Sequence, residues 1–210
     1  KANPWIREVT QVRRAYDKSP GDTLEVDCEY RAPVALVRWK DYYWLVDGDG
    51  VKLPEAFSAA DVPRIVKGAN GKMNIRIVEG VRQAPPESGI KWAGEDLHAG
   101  MELVKLLFGH DYTEEILKVD VSNVARKQDV KASQIVLVTR HDTQIRWGQP
   151  VTPRADEFFV EVTPAQKLAY LQTIYKDKGR VDGNFAWVDI RFDTPTVPNP
   201  AQTAHAEVQR

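Results

Sequence analysis

Cysteine is nearly missing from this chain: Cys28 is the only one in 210 residues. That count excludes an internal disulfide and a cysteine-based zinc cluster. No apolar run approaches the roughly 20 residues needed to span a bilayer. Neither sign of charge dominates, with 29 Lys and Arg against 30 Asp and Glu and a formal net charge of -1. The basic stripe with interleaved aromatics that phosphate binding demands is absent, so nucleic acid is not an expected partner. A Gly-x-Ser-x-Gly elbow, a phosphate loop, a dinucleotide fingerprint and a His-Glu-x-x-His helix are absent too, and no internal repeat or low-complexity block stands out. No cofactor, metal, catalytic residue or small-molecule substrate is therefore expected. The chain opens at Lys1 without an initiator Met, so an anchoring or targeting segment ahead of it stays compatible with the sequence.

What is present reads as an ordinary globular composition, 42% hydrophobic and 28% charged, with length for one large or two small domains. The clearest stretch runs from Thr23 to Gly50. Leu24, Val26, Cys28 and Tyr30 alternate with Glu25, Asp27, Glu29 and Arg31, the period of a strand with one dry and one wet face. Val34 to Trp39 is a mostly apolar run, Tyr42 to Val46 a third short strand, and Asp47-Gly48-Asp49-Gly50 a tight turn, so the stretch reads as a three-strand meander. Ahead of it, Arg7 to Tyr16 reads as a strand with Val9, Val12 and Tyr16 apolar, joined to the Leu24 strand by a turn at Ser19-Pro20-Gly21.

Farther along, Val51 to Arg64 reads as a linker or a short helix from Ser58, Ile75 and Ile77 as strand residues, and Gln83 to Gly94 as an exposed loop. Glu95 to Phe108 reads as a helix with Leu97, Met101, Val104 and Phe108 on one face and Gly109 as its stop. Leu117, Val119 and Val121 alternate as a strand, and Ile135 to Val138 pairs with Gln144 to Trp147 as a hairpin. A second helix begins with Thr163 as cap, Pro164 in the first position and Gln166 closing a capping box; Leu168, Leu171 and Tyr175 face inward and Gly179 ends it. Asn184 to Phe192 reads as the last strand, with Ala186, Val188, Ile190 and Phe192 on one face, and from Asp193 the proline-bearing tail is expected to fray. The fold class is α+β, rich in antiparallel sheet and carrying two helices.

Isolated features read more simply as structure than as chemistry. The Asp47 turn lacks the further oxygen ligands and the glutamate that a calcium loop needs. His110-Asp111 and His141-Asp142 fall at turns, and His98 reads as one half of a surface pair with Glu95. Cys28 reads as a small buried residue. Trp39, Trp44, Trp147 and Trp187 all fall on expected strands; Trp187 lies opposite the face of Val188, Ile190 and Phe192, which marks it as a partner contact on a possible edge strand.

Several motifs, in order, resemble the bacterial cell-division proteins FtsQ and DivIB. Pro4-Trp5-Ile6-Arg7-Glu8-Val9, Val12-Arg13-Arg14, Thr23-Leu24-Glu25-Val26, Glu29 to Ala35 and Leu45 to Val51 follow the family's passage from its POTRA domain into its beta domain. Ile145-Arg146-Trp147-Gly148, the Leu168 to Tyr175 helix and Val188-Asp189-Ile190-Arg191-Phe192 are similar to later landmarks. The resemblance implies a partial POTRA-like module over 1–32, a beta domain over 33–192 and a flexible tail over 193–210. It implies the extracytoplasmic part of a single-pass inner-membrane protein, anchored by a segment ahead of Lys1. The implied role is that of a non-enzymatic divisome scaffold binding FtsB/DivIC-like and FtsL-like proteins by strand addition, which helps regulate septal cell-wall synthesis. The implied partner site is Trp187, Val188, Asp189, Ile190, Arg191 and Phe192. Three departures stand out: the POTRA domain lacks its first strand and most of its helices, Asp193 to Pro198 replaces the family's further strand, and Gln83 to Gly94 is an unusual insertion. Two other readings stay open, a POTRA-type module of protein translocation or outer-membrane assembly, and a hydrolase of cell-wall carbohydrate using carboxylates such as Asp142, Asp189 or Glu157.

Overall fold

The computed structural model describes residues 3–15, 23–67, 75–153 and 161–198. Strands β1 (Ile6–Ala15) and β2 (Thr23–Tyr30) form an antiparallel ribbon of their own. Seven further strands make one mixed sheet: β3 (Pro33–Trp39), β4 (Tyr42–Asp47), β5 (Arg76–Glu79), β6 (Ile116–Asp120), β7 (Ile135–Thr139), β8 (Gln144–Gly148) and β9 (Trp187–Asp189). Their spatial order is β4-β3-β5-β6-β7-β8-β9. Among the described residues three α-helices complete the architecture: α1 (Val62–Val66), α2 (Glu95–Leu106) and α3 (Pro164–Lys178). The protein is thus α+β with an antiparallel-rich set of pairings, although β3 with β5, β5 with β6 and β8 with β9 run parallel.

The expected meander divides after Tyr30. β3 pairs with β4 and β5, not with β2, because Val34 to Val37 is apolar on both faces and needs a central position that a ribbon does not offer. In the ribbon, Val9 and Val12 are three residues apart yet share a face. A bulge between Val9 and Gln11 sets them opposite Cys28 and Val26. That face has no cover among the described residues: Val9, Val12, Leu24, Val26 and Tyr30 are at least half exposed, and Cys28 is half-buried rather than a core residue. Tyr16 and the Ser19-Pro20-Gly21 turn lie outside the described residues. The ribbon is pinned to the sheet by Arg31, which donates to the Asp47 carboxylate at 2.6 Å, and by Arg7 paired with Asp49 at 3.1 Å.

One apolar row crosses all seven strands. Trp44, Val37, Val78, Val119, Leu137, Ile145 and Val188 are register partners in sequence across the sheet, and the last six are completely or almost completely buried. This face receives α2 and α3 through Leu97, Met101, Leu103, Val104 and Leu171. Helix α2 comes close because Gly100 faces Val78 and Val121: a Cβ there would lie 2.8 Å from a Val78 methyl. Among the described residues the opposite face is covered over β4, β3 and β5, where Trp5, Phe57, Val62 and Ile65 pack on Leu36, Leu45 and Ile77, and Leu117 of β6 joins the same cluster. Over β6 to β9 it carries Lys118, Val138, Gln144 and Trp187, which remain half-buried or exposed.

Several boundaries differ from the sequence reading. α2 ends at Leu106, and Phe108 lies beyond it, 45% exposed, where the chain turns at Gly109. In β6 a bulge between Ile116 and Lys118 buries Ile116 and Val119 and leaves Leu117 on the other face. α3 has the anticipated ends: Thr163 accepts from the Gln166 amide, Gln166 reaches back to Thr163, and Gly179 is left-handed at φ 72. The Gln83 to Gly94 loop is tied down rather than free, since Trp92 is buried with its indole donating to the Gln83 carbonyl at 3.0 Å. The last strand covers only Trp187–Asp189, and the expected fray does not begin at Asp193, whose carbonyl accepts from the Tyr170 hydroxyl at 2.8 Å.

Candidate functional site

A sheet with two ends has two edges, and here they differ. The outward backbone of β4 is occupied by the strap that follows it: Tyr43 exchanges both bonds with Phe57 at 2.9 and 2.8 Å, Leu53 donates to Leu45 at 2.9 Å, and Asp47 donates to Val51 at 3.1 Å. At the other end β9 pairs with β8 in parallel, and Ile190 donates to Arg146 at 3.3 Å. Backbone direction alternates along a strand, so Val188 and Ile190 spend their groups on β8 while Trp187, Asp189 and Arg191 turn theirs outward. Asp189 exchanges both bonds with Thr196 at 2.8 and 2.9 Å, and the Arg191 carbonyl accepts from Val162 at 2.9 Å. Among the described residues nothing pairs with the outward groups of Trp187.

The six residues implied as a partner site therefore separate by direction. Val188 and Ile190 are fully buried in the core and present no side chain. Asp189 is 5% exposed and gripped by Arg191, whose guanidinium donates to both carboxylate oxygens, and it lies 3.7 Å from Arg146. Trp187 is half-buried with Arg146 stacked over its ring, 4.3 Å from the centroid. Phe192 is 49% exposed, with Arg191 5.1 Å over its ring. The accessible part of the site is thus the Trp187 backbone, the Trp187 and Arg146 stack, and Phe192. The Arg146 stack and the Thr196 rung were missed in the sequence. The sequence signal that bears on this segment is its proline content, which removes ladder donors.

Behind the edge lies a buried ion pair. Lys167 in the first turn of α3 donates to Glu161 at 2.6 Å, with side chains 3% and 7% exposed, and its ammonium sits 5.2 Å from the centroid of Trp147. Glu161 also accepts from the Gln149 amide at 2.9 Å. Burial pushes the Lys167 ammonium below its usual range, with Glu161 opposing the shift. The space for the carboxylate exists because residue 148 is glycine: at φ 98, a Cβ there would overlap a Glu161 oxygen.

The other chemical candidates resolve into structure. Asp47 accepts from the amides of Asp49 and Val51, so its carboxylate builds the turn. His98 pairs with Glu102 at 3.6 Å, one turn along the helix, rather than with Glu95. His110 stacks on Tyr112, and Asp142 is a turn residue at φ 60. Glu157 lies outside the described residues, and among those described no three His, Cys, Asp or Glu could hold a metal ion. Among them, too, no helix is long and apolar enough to cross a membrane.

Burial alone raises the carboxyls of Asp189 and Asp182, but bonds from Arg191 and Arg180 outweigh it and hold both below the usual carboxylate range. Folding gains from such groups at pH values above about 4, and loses that gain as the pH falls through the lower folded-state values. Thermal unfolding followed from neutral into acid solution is expected to show this decline, and Asp189→Asn to flatten part of it. No protein-family model, no curated protein and no solved structure matches this chain.

Proposed function

We propose that this chain is the extracytoplasmic part of a division scaffold of the FtsQ/DivIB type, with a partial POTRA module in the β1 and β2 ribbon and a beta domain in the seven-stranded sheet. In this reading it has no catalytic role. It sits outside the inner membrane on a single-pass anchor and takes up FtsB/DivIC-like and FtsL-like segments as an added strand on β9, which contributes to control of septal cell-wall synthesis. The observation that carries the reading is the asymmetry of the sheet: the β4 edge is occupied by its own strap, while β9 turns the N–H and C=O of Trp187 to the outside. Strand addition takes affinity from such backbone groups and specificity from side chains on alternate positions, here Trp187 and its Arg146 stack.

The test uses a substitution that spares the sheet. Proline at 187 deletes an outward N–H, at a place where edge strands tolerate it, together with the indole that Arg146 stacks on; Trp187→Ala, which removes the indole and keeps the N–H, separates the two contributions. Extracytoplasmic segments of FtsB-like and FtsL-like proteins are expected to be retained by the immobilised wild-type chain. Retention by Trp187→Pro should be weaker by about tenfold or more, with an unchanged circular dichroism spectrum. Equal retention by the variant would remove β9 as the docking strand.

A further inference from the structure

The segment after β9 returns antiparallel to it and makes a single rung. Arg191 to Pro195 reverses the chain, the Tyr170 hydroxyl holds the Asp193 carbonyl at 2.8 Å, and Thr196 exchanges both backbone bonds with Asp189. Pro198 is buried while Thr196 and Val197 are exposed, so the segment lies docked against the body. In an antiparallel register the next outward position on β9, Trp187, faces the residue two beyond Thr196, and that residue is Pro198. Proline has no N–H to give the Trp187 carbonyl. Of residues 196 and 198, only Thr196 carries the donor a rung needs.

The geometry points to Asp193–Pro198 as a guard on the β9 edge: it holds the Asp189 rung itself, is barred by Pro198 from zipping farther, and yields to an extended segment that carries an N–H where the tail has Pro198. This rests on the reading of β9 as a strand-accepting edge and adds its regulation. The guard has two consequences. A casual strand, including β9 of another copy, meets an edge with its central rung filled, the kind of protection that exposed sheet edges require. A partner strand without proline makes the Asp189 rung and the Trp187 rung together, whereas the tail makes only the first. Each backbone bond contributes a modest net gain, so the guard lowers the affinity of the incoming strand by about fivefold rather than abolishing binding. The occupant is thereby specified by chemistry: an extended peptide with no proline at the residue facing Trp187.

The probe is a synthetic peptide of residues 193–202 with valine in place of both Pro198 and Pro200, titrated by fluorescence anisotropy against the full chain. Two variants release the guard. Thr196→Pro removes the N–H donated to Asp189, and Tyr170→Phe removes the hydroxyl that holds the Asp193 carbonyl. The expected result is that the peptide binds Thr196→Pro about fivefold more tightly than the wild-type chain, with Tyr170→Phe shifted in the same direction, while the natural proline-bearing peptide binds all three at least about fivefold more weakly. Equal affinity of the valine peptide for the wild-type chain and both variants would overturn the guard and leave strand addition standing. No binding of the valine peptide to any of the three would overturn the strand-accepting edge itself, and the guard with it.

Discussion

Replacing Lys167 with alanine is expected to destabilise the protein by about 3–5 kcal/mol, the usual cost of leaving one member of a buried ion pair alone. For a chain of this size that corresponds to a fall in Tm on the order of 10 °C. The magnitude follows from the enclosure of Glu161, whose side chain is 7% exposed and which would keep only the Gln149 amide as a partner among the bonds described above. The pair is not a net source of stability by the same reasoning, because two charges have been taken out of water to make it. The double variant Lys167→Met with Glu161→Leu is accordingly expected to recover most of the loss in a denaturant titration. A double variant as unstable as Lys167→Ala alone would mean that the Lys167 side chain acts by packing on Trp147 and not by neutralising Glu161.

Val188→Asp is expected to abolish folding. Val188 closes the apolar row that begins at Trp44 and is fully buried among the apolar side chains of the core cluster. An unpaired carboxylate there costs more than the few kcal/mol by which a domain is stable. Far-ultraviolet circular dichroism and the fluorescence of the buried Trp147 check this directly. A folded Val188→Asp chain would show that β9 can detach while the other six strands persist. The expectation also bears on the choice of functional variants. Loss of partner binding in Val188→Asp or Ile190→Pro would report a broken sheet, since Ile190 supplies the N–H donated to Arg146, whereas Trp187→Pro and Thr196→Pro leave the bonds between β8 and β9 in place.

The elements read most closely from sequence are those whose causes are local. Strand β2 follows from strict alternation between Leu24 and Tyr30, and α3 follows from Thr163, Pro164, Gln166 and Gly179, each of which acts within one turn. The hairpin of β7 and β8 needed only two apolar runs and a turn between them. Where reading failed, a bulge or a distant partner intervened. Leu117 shifted face because one extra residue in β6 breaks the two-residue period, and Phe108 left the core because α2 ends before it.

The candidate site divides in the same way. Composition and alternation determined an α+β protein whose last strand carries Trp187 on the face opposite Val188 and Ile190, because a pleated strand fixes faces by counting. The tertiary structure alone decided that β3 leaves the meander for the centre of a mixed sheet, that the strap after β4 closes one edge, and that Thr196 fills one rung of the other. Those outcomes turn on backbone N–H and C=O groups, which are the same in almost every residue and are paired across the fold, so the order of side chains carries little trace of them. Proline is the exception, being the one residue that lacks the donor, and it is at Pro198 that the tail's pairing left a mark in the sequence.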